Sequence, residues 1–127
     1  MKVLALDFGS ARTGVAVSDP TGTVARPLCI VERAGTETGI ARLRELVTEE
    51  QAERIVVGLP LTLRGDRGEQ AVETERFVEE LRAAVSVPVE TFDERFTTTL
   101  AGPGAGEDAR AAAHLLSSYL EWSSRRR

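Results

Sequence analysis

Residues 1–19 read MKVLALDFGSARTGVAVSD. Val3 to Leu6 is a short continuous apolar run, the pattern of a strand buried on both faces, yet it runs directly into a carboxylate, Asp7. A carboxylate taken out of water without a partner is strongly disfavoured, so Asp7 must have company. Gly9 and Ser10 supply a turn, and a second run rich in small and β-branched residues begins at Thr13. The short connection predicts an antiparallel hairpin. Asp19-Pro20-Thr21-Gly22 is the next turn, and Val24 to Val31 reads as a third strand, placed at a sheet edge by Pro27.

Downstream the period changes. Ile40, Leu43 and Val47 form the stripe of an amphipathic helix. Ile55 to Val57, closed by Gly58-Leu59-Pro60, reads as an interior strand, and a loop bearing Gly and Arg spans Leu61 to Gly68. A second helix carries Val78, Leu81 and Val85. Pro88 to Phe92 is a fifth strand ending in Asp93-Glu94-Arg95, and a last helix is predicted to begin near Glu107. The order β-β-β-α-β-α-β-α, with helical crossovers making the later strands parallel to the first, predicts a mixed five-stranded sheet with helices on its faces. The ribonuclease H-like fold has this order.

The 127 residues are expected to form one domain, residues 1–127, with an ordinary apolar content of 42%. No leader and no membrane span are expected, and the lone Cys29 leaves no disulfide framework, so a reduced, cytoplasmic protein is expected. Cys29 itself is expected to be a small core residue. The net charge of −4 argues against a general nucleic-acid coat protein, though not against a nuclease whose acidic side is its metal site.

Only five aspartates occur. Asp19 and Asp66 sit in turn or cap contexts, whereas Asp7, Asp93 and Asp108 lack that explanation. Asp108 shares a helical stripe with Ala112, Leu115 and Tyr119, although a first-turn acid would also be favoured by the helix dipole. Asp7 ends strand one, Glu94 follows strand five and Asp108 opens the last helix. In open α/β sheets such carboxyl ends are where ligands bind. Three converging carboxylates would repel one another unless a cation joined them. Hard oxygen ligands suit Mg²⁺ or Mn²⁺, and a pair of such ions is the clamp of phosphodiester hydrolysis.

Four stretches then become specific: LDFGSARTGVAVSDP, IVVGLPL, FDERFTTT and DARAAAHLLSSYL. Together they resemble the motifs of the YqgF/RuvX family, the Holliday-junction-resolvase-like group whose members carry the name pre-16S rRNA nuclease. The resemblance covers nearly the whole chain and implies the ribonuclease H-like fold. By the same resemblance Asp7, Glu94 and Asp108 would be the catalytic, metal-binding carboxylates, with Asp93 in reserve. Arg12, Arg95 and the hydroxyls of Thr97 to Thr99, Thr98 among them, would line the nucleic-acid side, with Arg64 and Arg67 as further phosphate contacts.

The implied reaction is Mg²⁺- or Mn²⁺-dependent cleavage at the 5′ end of precursor small-subunit rRNA, on RNA alone or in a pre-ribosomal particle. Resolution of branched DNA by a dimer is the alternative, against a monomer acting on RNA. Family members carry a short helix and a basic linker before the last Asp, where this chain has only TTLAGPGAGE. That difference motivates a second class, a nucleic-acid-binding module without catalysis. An actin-like nucleotide-binding domain rests on the first motif alone. His114 is expected to be packed or half-exposed, and Tyr119 and Trp122 to close one end of the core.

Overall fold

The computed structural model describes residues 1–62, 64–97 and 109–126. Five strands, β1 (Val3–Asp7), β2 (Arg12–Ser18), β3 (Ala25–Glu32), β4 (Arg54–Leu59) and β5 (Val89–Asp93), form one sheet in the order β3-β2-β1-β4-β5. β1, β2 and β3 are antiparallel neighbours, while β4 and β5 run parallel to β1. Pro27 sits in edge strand β3, where a missing N–H costs no ladder bond. This is the mixed sheet that the residue pattern predicted.

β3 begins one residue later than the sequence suggests, because Val24 belongs to the turn. The Asp19 carboxylate accepts the backbone N–H groups of Thr23 (2.8 Å) and Val24 (2.9 Å) and the Thr21 hydroxyl, so its pKa is held well below the usual carboxylate range, chiefly by the Thr21 bond.

Three helices cover the sheet: α1 (Glu37–Glu50), α2 (Glu69–Ala84) and α3 (Arg110–Arg125). The two faces of the strands feed separate cores, as alternation requires. Leu4, Leu6, Ile55 and Val57 point toward α1 and α2, meeting Leu43, Leu46, Phe77, Val78 and Leu81. Val3, Ala5, Val56 and Phe92 point the other way, toward Ala112, Leu115, Leu116 and Tyr119 of α3. Cys29 is half-buried, packed against the first of these cores from the edge strand. Ile40 is only partly buried and Leu46 takes the core place beside it, because the stripe of α1 is centred between Leu43 and Val47. Among the described residues no helix is long and apolar enough to cross a membrane.

At the amino ends of the parallel strands Arg54, Glu90 and Tyr119 join β4, β5 and α3. The Tyr119 hydroxyl donates to Glu90, and Arg54 Nη1 donates to both the Tyr119 oxygen (3.2 Å) and Glu90 (3.3 Å). The opposite, carboxyl ends of β1 and β5 carry the acids.

Candidate active site at the carboxyl end of the sheet

Asp7 is the last residue of β1, paired with Gly14 of β2 across the hairpin. The hairpin is held from within by Thr13, fully buried, whose hydroxyl donates to the Gly9 carbonyl (3.3 Å) and accepts its N–H (3.4 Å). A side chain at Gly9 would place its Cβ 2.5 Å from the Arg12 carbonyl oxygen, so this tight approach needs glycine.

Glu94 comes from the far side of the sheet. It opens a single 3₁₀ turn, Glu94–Phe96, directly after β5, and β5 is separated from β1 by β4. Neighbouring strands lie about 4.8 Å apart, so the side chain must cross the whole width of β4 to meet Asp7. Gly58 makes that crossing possible. A Cβ at this position would meet Glu94 Oε1 at 2.7 Å, Glu94 Cγ at 2.9 Å and Leu115 Cδ2 at 3.1 Å. The empty place over Gly58, on the α3 face of β4, is filled by the Glu94 side chain.

Asp7 and Glu94 are hydrogen-bonded through their side chains. Two carboxylates can share such a bond only if one holds a proton. Burial raises the pKa of both. Glu94 is pushed from 4.5 to about 7, by burial first, then by the Asp7 charge and the bond to it, and last by Asp93. Burial and mutual repulsion therefore favour one proton shared by the pair. Acids forced together at a strand end, and unable to ionise together, mark a candidate functional site.

Asp93 takes a different role. One residue earlier in the chain, it accepts from Arg95 Nη2 (2.6 Å), Nε (2.9 Å) and backbone N–H (2.9 Å), and its pKa is lowered by that pairing. Arg95 is thereby fixed over the β4–α2 loop, with Nη1 3.3 Å from where a Gly65 Cβ would stand. Arg12 is exposed at the start of β2, and Arg64 is exposed in the loop. Arg67 is engaged by Glu75 of α2 at 2.6 Å. The Thr97 backbone N–H closes the 3₁₀ turn on the Glu94 carbonyl (3.0 Å), while its hydroxyl oxygen is buried with no hydrogen-bond partner among the described residues. Asp108, Thr98 and Thr99 lie outside the described residues. Among those described, no cluster of three or more His, Cys, Asp and Glu is placed to hold a metal.

Between the β1 hairpin and α2 lies a cavity of about 250 Å³, bordered by Asp7, Glu94, Ser10, Gln70, Glu73 and Thr74. The α2 contribution was missed by following apolar positions alone. Gln70, Glu73 and Thr74 share one helical face by their i, i+3, i+4 spacing, and only the fold shows that Thr74 is buried there, its hydroxyl donating to the Gln70 carbonyl.

The family model for RuvX, described as Holliday junction resolvase, matches residues 1–122. A relative from Syntrophomonas wolfei named "Putative pre-16S rRNA nuclease" is 37% identical over 136 residues, covering 98% of this chain and 96% of that one. A protein of the same name from Chloroflexus aurantiacus is 48% identical over 99 residues, covering 78% of this chain and 65% of its own length. Among solved structures, T. thermophilus RuvC in complex with a Holliday junction substrate aligns over 98% of this chain and 97% of that one, with a TM-score of 0.61 and 19% identity. The fowlpox virus resolvase bound to Holliday junction DNA aligns over 97% and 99%, with a TM-score of 0.55 and 13% identity. The two structural matches establish the ribonuclease H-like fold. The sequence matches go further, and by them this chain belongs to the RuvX family.

Proposed function

We propose that residues 1–127 form a single-domain, cytoplasmic endonuclease that requires Mg²⁺ or Mn²⁺. The observation that carries this reading is the Asp7–Glu94 pair, two acids from non-adjacent strands brought together over Gly58. Their oxygen donors fit a hard divalent cation, and the proton they share is what such a cation would displace. Asp108 is the third ligand in this reading, supported by its position just before buried Ala109 and a helix whose Leu115 packs beside Gly58. When bound, the metal would supply an activated water and charge stabilisation for the leaving oxygen. The chain's own residues hold and orient. Asp93 locks the Arg95 guanidinium over Gly65 of the β4–α2 loop, Thr13 fixes the hairpin that carries Asp7, and Arg12 and Arg64 offer exposed cations for phosphate.

The substrate we favour is the 5′ end of precursor small-subunit rRNA, free or in a pre-ribosomal particle, after the names of the relatives. Branched DNA is the second reading, favoured by the family description. Labelled precursor RNA and a four-way DNA junction, each incubated with Mn²⁺ and with wild type or Asp7→Asn, separate the two. Cleavage of RNA by wild type alone is the expected result. If wild type cuts neither substrate better than Asp7→Asn, the chain is a binding module and the nuclease reading fails.

A further inference from the structure

Beside the acids, on the α3 side of the sheet, lies a second open feature. Phe96 ends the 3₁₀ turn that Glu94 begins, and it is 60% exposed. Trp122 of α3 is 40% exposed. The two rings line a cavity of about 340 Å³ together with the buried Phe92, which lies 6.1 Å from Phe96 and 5.6 Å from Trp122 by ring centroids. Its volume is at the low end of the range for small-molecule pockets, about 300 Å³ upward.

Arginines lie close to its rings. Arg126 lies over the Trp122 ring at 4.9 Å, Arg95 lies 5.9 Å from the Phe96 centroid, and Arg125 lines the wall, neutralising Glu121 at 2.6 Å. The groove presents aromatic faces with arginine nearby, the combination that stacks bases and holds a phosphate backbone. A duplex keeps its base faces covered, so only an unpaired base can enter.

Resting on the nuclease reading above, we propose that the Phe96–Trp122 groove binds an unpaired nucleotide flanking the scissile phosphate, with Phe96 as the stacking platform. Phe96 stands two residues after Glu94 in the same 3₁₀ turn, so groove and acid are neighbours along the chain.

Trp122 is the only tryptophan, so its fluorescence reports on the groove directly. The full chain in EDTA, where metal-dependent cleavage is off, would be titrated with a ten-nucleotide single-stranded RNA, the same DNA, and a blunt duplex. Saturable quenching by the single strands and much weaker quenching by the duplex are expected. Phe96→Ala and Phe96→Leu should each weaken single-strand binding by about tenfold or more, while Phe96→Tyr stays close to wild type. Far-UV circular dichroism checks that these exposed-site variants fold. Equal response to duplex, wild-type binding by Phe96→Leu, or no quenching at all would overturn the proposal. So would a Trp122 signal that follows protein concentration alone, which would make the groove an interface between copies. Quenching without cleavage of any substrate would sink the nuclease reading and leave the groove standing. Cleavage by wild type and Phe96→Ala at equal kcat/KM, with no quenching, would do the reverse.

Discussion

Gly58 shows how one missing atom can set a site. Gly58→Ala would place a methyl where the Glu94 Cγ and carboxylate now lie, and Leu115 closes the only other direction. Overpacking of this kind costs about 1–3 kcal/mol when it is relieved by movement, and here the movable partner is the proposed ligand. We expect Gly58→Ala to keep its circular dichroism spectrum and lose at least tenfold in cleavage rate (about 1.4 kcal/mol). Unchanged cleavage would show that Glu94 does not need its path over β4. Glu94 itself gives a pH prediction. Its folded pKa of about 7 stands above its ordinary 4.5, so the native state holds a proton that the unfolded chain releases. The stabilisation is therefore complete below about pH 4.5 and is lost as pH rises through about 7. Thermal melts in EDTA should fall across that window, and Glu94→Gln should flatten the fall. Asp7 was legible in the sequence because a charge ending an apolar run is an anomaly. Gly58 was not, because a strand's residues do not reveal which neighbour's side chain will cross them until the strand order is known.

The elements divide the same way. The strands were readable because β1 and β4 are buried on both faces and so appear as unbroken apolar runs, and Pro27 marked the edge. Helix α1 was readable from its stripe, and its start is fixed by Thr36, whose hydroxyl accepts the Gly39 N–H (3.2 Å) and donates to the Arg33 carbonyl (2.8 Å). Removing that cap with Thr36→Ala should cost about 1 kcal/mol, lowering Tm by roughly 3–5 °C in a chain of this size. Cleavage at a temperature where the variant is folded should not change, because α1 contributes nothing to the acid pair. A loss of activity in folded Thr36→Ala would mean that the α1–α2 face shapes the site more than its lining residues indicate. Helix α2 is half legible: its apolar face shows in the sequence, while nothing there sets Gln70, Glu73 and Thr74 apart from a solvated face. Polar residues carry no periodic signal of their own, so a face that borders a cavity looks in sequence like one that borders water.

Across the whole molecule, the sheet has a stabilising end and an acidic end. At the amino ends of β4 and β5, Arg54, Glu90 and Tyr119 tie two strands to α3. At the carboxyl ends, β1 and the turn after β5 bring Asp7 and Glu94 together across β4. Arg54→Ala should therefore lower Tm by several degrees, since it leaves Glu90 and Tyr119 without their cation in a half-buried place. It should leave the response to metal intact. Mn²⁺ at about 100 times its Kd would stabilise the native state by about 2.7 kcal/mol, or roughly 8–13 °C here, and more at pH 8 than at pH 6 because the shared proton must leave. Asp7→Asn, Glu94→Gln and Asp108→Asn should each abolish most of that shift, and Asp93→Asn should reduce it far less, since Asp93 is committed to Arg95. The comparison that decides is a matrix of melts, these five variants with and without Mn²⁺. If Arg54→Ala loses the metal shift, or Asp108→Asn keeps it, the two ends are not independent or the third ligand has been misassigned. If Mn²⁺ moves none of the melts, the acid pair is a proton-sharing device and the metal requirement falls with it.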